Sequence, residues 1–359
     1  MKKTKNKRIT NWILLIEFVT VIALLAIVIR LMYKQLYDYK VNAMSTPTIQ
    51  TTVIDDIDNS EENTSLSLAE SLAEAGEIYS LSSDDNKGTD SAHHTNYMGN
   101  TVADGELNIV VMGDSIWDHD RDDENTGTLL ETYLQEEFPE QTVHVYNLAI
   151  GGTSAALSAD ASTDIEGWDN KNITGVTYAL TGMVEDTSYL EGQAMYDILP
   201  KVNLDKIDYF IISYGLNDYF CGYPVTFFDR YDLYSYVGAI EDSINTLHNY
   251  CPEARFLVMS PTYCQFYYYD QVSATCLDRY FGEGGTLDKY AGGSAVVSLE
   301  FGTLYQDAFN DYGLGADTQS TYTRDGIHFN NEGRKVYAKQ VADCIREDYA
   351  NFYNIDISD

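Results

Sequence analysis

Leu107-Asn108-Ile109-Val110-Val111-Met112-Gly113-Asp114-Ser115 is the stretch on which the fold turns. Five of its first six residues are apolar, and they run directly into Gly-Asp-Ser. A near-continuous apolar run bounded by a turn signal is the pattern of a parallel strand buried on both faces. Ser115 then stands at the carboxyl end of that strand. Open α/β sheets bind ligands along this edge, which makes the hydroxyl a candidate nucleophile. Gly-Asp-Ser is also a common turn tripeptide, so the reading depends on the rest of the chain.

Outward from this strand the pattern alternates. Thr128 to Phe138 is amphipathic and stops at Pro139, which predicts a helix, and Thr142 to Leu148 is rich in β-branched and aromatic residues. Ile207 to Ser213 is a third strand candidate. Leu233 to Tyr250 has helical periodicity and ends before Pro252, and Arg255 to Met259 opens a fourth strand. A short strand is predicted near Thr303 to Tyr305, after a helix ending at Gly302, and a last helix runs from an Asn330 or Asn331 cap to about Tyr353. Strands alternating with helices imply one α/β domain over 105–359, with a mainly parallel sheet of about five strands covered on both faces. Three stretches break the alternation, about 153–201, 219–232 and 264–294, and these are the candidate substrate-shaping insertions.

The amino-terminal part has a different character. Lys2, Lys3, Lys5, Lys7 and Arg8 form a basic tail over 1–11, followed by 21 apolar-rich residues from Trp12 to Met32. At ~1.5 Å per residue such a helix matches the ~30 Å hydrocarbon core of a bilayer. The basic flank predicts a transmembrane anchor with its amino terminus inside and the remainder outside. The alternative is a cleaved signal with its apolar centre at 18–29 and a small-residue site at Val41-Asn42-Ala43; both place the domain outside the cytoplasm. Residues 33–104 have the polar, acidic composition of a flexible linker. With a net charge of -34 over 359 residues, nucleic acid is excluded as a partner, because phosphate binding needs a basic face.

Each apolar strand of the domain feeds a distinctive turn. The second leads to Asn147-Leu148-Ala149-Ile150-Gly151-Gly152-Thr153, whose glycines let backbone N–H groups approach a ligand. The third leads to Gly215-Leu216-Asn217-Asp218, which puts an amide at the same sheet edge. Asp325-Gly326-Ile327-His328 lies directly before the last helix, with a carboxylate and an imidazole three residues apart.

These four turns, in this order, resemble the blocks of the SGNH (GDSL-type) hydrolase superfamily, over roughly 107–353. The resemblance implies a three-layer α/β/α flavodoxin-like domain and ester hydrolysis through an acyl-enzyme, with no cofactor and no metal. By it, Ser115 is the nucleophile, His328 the base and Asp325 the group that orients the base. The Ser115 backbone, Gly152 and Asn217 form the oxyanion hole. Physical chemistry fits these roles, since a serine hydroxyl needs an adjacent base and the base needs a fixed tautomer. Ile116 stands where the family usually has leucine. Gly151 stands where many members have serine, which leaves either glycine amide open as the oxyanion donor.

Other residues invite competing readings. The run Asp118 to Glu124 resembles a metal loop, but its sixth residue is Asp123 and its twelfth position is Leu129, so an EF-hand is excluded and a solvated acidic loop is expected. His119 rivals His328 in sequence position only, and His144 and His248 are read as structural. Cys221, Cys251, Cys264, Cys276 and Cys344 fit no zinc spacing; Cys264 and Cys276 are the nearest pair. Aromatic clusters at 219–236 and 263–269 serve either as packing or as an amphipathic rim that stacks on sugars. The expected substrate is a short acyl ester, of the O-acetyl kind, on carbohydrate or another small ester. Lipid esterase, acyltransferase and catalytically silent glycan-binding module are the alternatives.

Overall fold

The strand that opens the domain, β1 (Glu106–Gly113), is buried at seven successive residues, so both of its faces are covered. This comes from a computed structural model that describes residues 105–353, apart from positions 120, 123, 228 and 270. The predicted tail, anchor and linker over 1–104 lie outside the described residues. Among the described residues no helix is long and apolar enough to cross a membrane.

After β1 come α1 (Ser115–Asp118) and α2 (Thr126–Glu137), capped by the Asp114 and Asn125 side chains, which accept the Ile116 and Thr128 N–H groups. Next are β2 (Thr142–Asn147), α3 (Ile173–Thr181), β3 (Tyr209–Ser213), α4 (Leu216–Cys221) and α5 (Tyr236–Tyr250). The chain then forms β4 (Arg255–Met259), a hairpin of β5 (Gln265–Tyr268) and β6 (Gln271–Thr275), α6 (Leu287–Phe301), β7 (Leu304–Gln306), α7 (Gln319–Tyr322) and α8 (Asn331–Tyr353). The expected strands stand within two residues of their predicted bounds. Asn330 is the cap of the last helix, its Oδ1 accepting the Gly333 N–H at 3.0 Å.

The main sheet has the order β2-β1-β3-β4-β7, and every neighbouring pair is parallel. Counting only these strands the order is 2-1-3-4-5, the flavodoxin-like arrangement. From β1 the chain passes to β2 on one side and then to β3 on the other. The carboxyl end of β1 is therefore the switch point, where a crevice opens. Helix α2 packs with α8, and α5 packs with α3 and α6.

Two features of the core fix the site. Gly113 carries no side chain because a Cβ there would stand 2.9 Å from both the Ser213 carbonyl oxygen and the Trp117 ring, so the turn into Ser115 can hug β3. Helix α8 is tied to the sheet at both levels. Near its end, Asp348 accepts two hydrogen bonds of 2.5 Å from Arg255 and one of 2.6 Å from Tyr209. Further up, Tyr337 packs edge-on to Trp117 at 5.5 Å and its hydroxyl meets the Ser213 hydroxyl at 3.1 Å. Fully burying a large apolar side chain of this kind contributes about 1.5–3 kcal/mol. The residues just before α8 inherit that fixed position.

Candidate active site

Ser115 opens α1 at the carboxyl end of β1, and its Oγ lies 3.0 Å from Nε2 of His328. On the other side of the ring, Nδ1 of His328 is 2.7 Å from Oδ2 of Asp325. An ionised carboxylate can only accept, so Nδ1 carries the proton and Nε2 is left to accept the Ser115 proton. Oδ1 of Asp325 accepts the N–H groups of Ile327, at 2.9 Å, and His328, at 2.7 Å. Partial burial pulls the Asp325 carboxyl up, but these hydrogen bonds outweigh it and hold the group below its ordinary range.

The turn that carries this pair is itself held. Thr323 bridges to Phe329, and the Arg324 N–H donates to the His328 carbonyl at 2.9 Å. Gly326 has φ +86°, a conformation that costs other residues about 1–2 kcal/mol. Its carbonyl accepts from the Gln265 N–H and the Gln319 amide, both at 2.9 Å. A Cβ at this position would lie 2.4 Å from the Gln265 carbonyl oxygen and 2.6 Å from the Tyr267 ring. The β5–β6 hairpin thus rests directly on the Asp325–His328 turn.

Opposite stands the loop after β2. Gly152 has φ +79° with open space around it, and its N–H has no hydrogen-bond partner among the described residues. The Gly151 N–H, by contrast, donates to Oδ2 of Asp118 at 2.7 Å. Of the two glycines, Gly152 is the one with an amide free for an oxyanion. Asn217 donates one amide hydrogen to the Thr153 carbonyl at 2.9 Å, leaving its second for a ligand. Asp218 is fully buried and accepts the Ala155 and Ala156 N–H groups at 2.9 and 2.8 Å, joining the start of α4 to the same loop.

Some expectations need correction. Asp118 and Arg121 are not part of a solvated acidic loop: their side chains are 22% and 19% exposed and paired at 2.6 Å. The sequence reading places both residues only within that loop. The one available signal was the three-residue spacing of opposite charges at the exit of a short helix. The stretch 153–201 contains a regular helix, α3. Aromatic residues divide between the two readings: Tyr219 and Tyr236 are wholly buried, whereas Tyr268, Tyr269 and Tyr280 are 68%, 84% and 69% exposed. The His119 ring lies beside His328, tilted 57° to it with centroids 4.9 Å apart, while Ser115 meets His328. All five cysteines are free thiols, with Cys264 and Cys276 adjacent across the base of the hairpin.

Among curated proteins no sequence matches the chain. Several solved structures are similar to it. A protein from Lactobacillus plantarum has 19% identity and a TM-score of 0.45, over 67% of this chain and 97% of its own. A possible lipase from Chitinophaga pinensis has 17% identity and a TM-score of 0.44, over 67% and 98%. A variant acetyl xylan esterase from Geobacillus stearothermophilus has 17% identity and a TM-score of 0.40, over 73% and 100%. The assignment rests instead on the family model for GDSL-like lipase/acylhydrolase, which matches residues 109–341, from within β1 to within α8. The chain belongs to this GDSL-like family and is an ester-bond hydrolase.

Proposed function

We propose that the chain is a membrane-anchored, extracytoplasmic serine esterase that removes short acyl groups, of the O-acetyl kind, from carbohydrate. Ser115 Oγ attacks the ester carbonyl as Nε2 of His328 takes its proton. The negative charge on the carbonyl oxygen falls to the Ser115 and Gly152 N–H groups and the Asn217 amide. Losing one such donor typically costs ~10² to 10³ in rate. Collapse breaks the bond to the alcohol oxygen, which leaves with the proton from His328. Water then attacks the acyl-enzyme, His328 accepting its proton, and collapse breaks the bond to Ser115 Oγ, which takes that proton back as the carboxylic acid departs. Asp325 holds the tautomer throughout and stabilises the imidazolium. The observation that carries this mechanism is the hydrogen-bonded series Ser115, His328, Asp325 at the switch point of the sheet.

Location and substrate rest on other grounds. The basic tail and apolar run of residues 1–32 support an anchor with the domain outside. The exposed Tyr268 and Tyr269, on the hairpin that packs against Gly326, and Tyr280, in the segment after it, support a carbohydrate, since their rings are flat, amphipathic and uncharged. A lipid-directed esterase is the second reading, favoured by the exposed Val272 and Leu277 on the same insertion. The test is hydrolysis of p-nitrophenyl acetate, butyrate and octanoate by the full chain in detergent, with fluorophosphonate labelling. Wild type should turn over and label, and Ser115→Ala should do neither. Preference for acetate supports the carbohydrate reading; preference for octanoate replaces it with the lipid one.

A further inference from the structure

We propose that Asp118 and Arg121 are positioning residues that set which glycine amide faces the oxyanion. This inference rests on the assignment of Ser115 as nucleophile. Asp118 is the last residue of α1, three after Ser115, and its two oxygens are split between two partners. Oδ2 accepts the Gly151 N–H at 2.7 Å, and Oδ1 accepts Nε–H of Arg121 at 2.6 Å. The guanidinium continues the clasp: Nη1 donates to the Asn147 carbonyl at 3.0 Å and Nη2 to the Ala149 carbonyl at 2.8 Å.

The loop meets this clasp in a regular way. The Leu148 and Ile150 N–H groups donate to the Val111 and Gly113 carbonyls at 2.8 and 3.0 Å, extending the β2 ladder along β1. Residues 147, 149 and 151 face the other way, and their backbone groups are the ones that Arg121 and Asp118 hold. Both edges of 147–151 are therefore held by hydrogen bonds. Gly152, at φ +79°, turns out of this ladder with its N–H unclaimed among the described residues.

The chemistry follows from this geometry. A carboxylate on Gly151 removes the competing donor and fixes the last peptide before the turn. Without it the outer edge of the loop is released, and the Gly152 amide loses its aim at a developing charge. Misplacement of about 1 Å at such a site costs roughly 10²-fold in rate. The negative charge on the carbonyl oxygen develops only on the way to the tetrahedral intermediate, so the loss belongs to kcat and not to KM. Arg121 cannot be replaced by lysine without loss, because a single ammonium cannot reach two carbonyls and a carboxylate in one plane.

The experiment compares wild type, Asp118→Ala, Asp118→Asn, Arg121→Lys and Ser115→Ala in the full chain on p-nitrophenyl acetate, with inhibition by a small alkyl boronic acid whose Ser115 adduct is tetrahedral. For Asp118→Ala, kcat should fall roughly 10- to 100-fold with KM within about twofold, and boronate affinity should fall in parallel. Asp118→Asn, whose Oδ1 can still accept the Gly151 N–H, should recover part of the rate, and it carries the test if the alanine variant fails to fold. Arg121→Lys should fall between. A folded Asp118→Ala with wild-type kcat, or one that changes only KM, overturns the proposal. If Ser115→Ala keeps full turnover, the nucleophile assignment fails instead.

Discussion

Asp325 shows how much a single side chain settles when all of its hydrogen bonds are local. One oxygen caps the backbone of its own turn and the other orients the imidazole, so the carboxylate builds the turn and serves the base together. Asp325→Asn can keep the first role but not the second. Its NH₂ would face Nδ1 of His328, forcing the proton onto Nε2 and leaving no acceptor for Ser115. We expect kcat to fall by about 10⁴ while the fold persists. Because the Asp325 carboxyl sits below its ordinary value, its stabilising contribution is present above about pH 4 and lost as pH falls through the folded value. Half of the side chain is exposed, so at neutral pH the thermal midpoint should move little compared with the rate. A folded variant that loses less than about tenfold in kcat would show that Asp325 does not orient the base. The candidate site residues were legible because each lies in a short turn that follows an apolar strand or precedes a helix. Asp118 was not, because its partner is a backbone N–H 33 residues further on, which no side-chain pattern records.

Among the elements, the parallel strands were the most legible part of the chain and the β5–β6 hairpin the least. A strand buried on both faces must be apolar at successive residues, as 109–112 and 209–212 are, and that signal survives without context. The first strand of the hairpin, Gln-Phe-Tyr-Tyr over 265–268, has no alternation to read. The hairpin bulges between Phe266 and Tyr267 and places Tyr269 at φ +47°, where a turn would ordinarily announce itself with Gly or Asn. Helix α3 is rich in β-branched residues and contains Gly175, and it forms because Asn172 caps it and its face is buried, with propensity overridden by packing. The hairpin's place against the catalytic turn gives the prediction at this scale. In Gly326→Ala the new methyl meets the Gln265 carbonyl oxygen and the Tyr267 ring well inside contact distance, and φ +86° adds about 1–2 kcal/mol of strain. The hairpin and the turn must separate, so both the thermal midpoint and kcat should drop. A drop in midpoint alone would mean that the hairpin braces the fold without influencing His328.

Across the whole molecule, charge sets how stability follows pH. The chain carries a net -34, and several of its carboxyls are shut away from water. Burial pushes Asp114 up to about 7, Asp218 to about 6 and Asp242 to about 6. Glu241 is pushed to about 8, first by burial and then by the neighbouring Glu300, against the opposing pull of Arg230. Unfolded, such groups titrate near 4, so between that value and the folded one the native state holds protons that the unfolded chain has released. Their contribution is complete below about pH 4 and drains away as pH rises through 6 to 8. Asp325, Glu106, Asp160 and Asp186 are shifted downward and act in the opposite sense, but only toward acid. Self-repulsion of the ionised surface adds to the loss on the alkaline side. The thermal midpoint should therefore be higher at pH 5.5 than at pH 8. Added salt should raise the pH 8 value by screening the surface while leaving the buried term in place. Asp114→Asn separates the two contributions: it can still accept the Ile116 N–H, but it has no charge to bury. Its midpoint should depend less steeply on pH than that of the wild type and respond to salt to the same degree. A wild-type midpoint that stays level or climbs from pH 5.5 to 8 would mean that the buried carboxyls ionise without cost, and that Asp114 and Asp218 are solvated in a way their burial does not suggest.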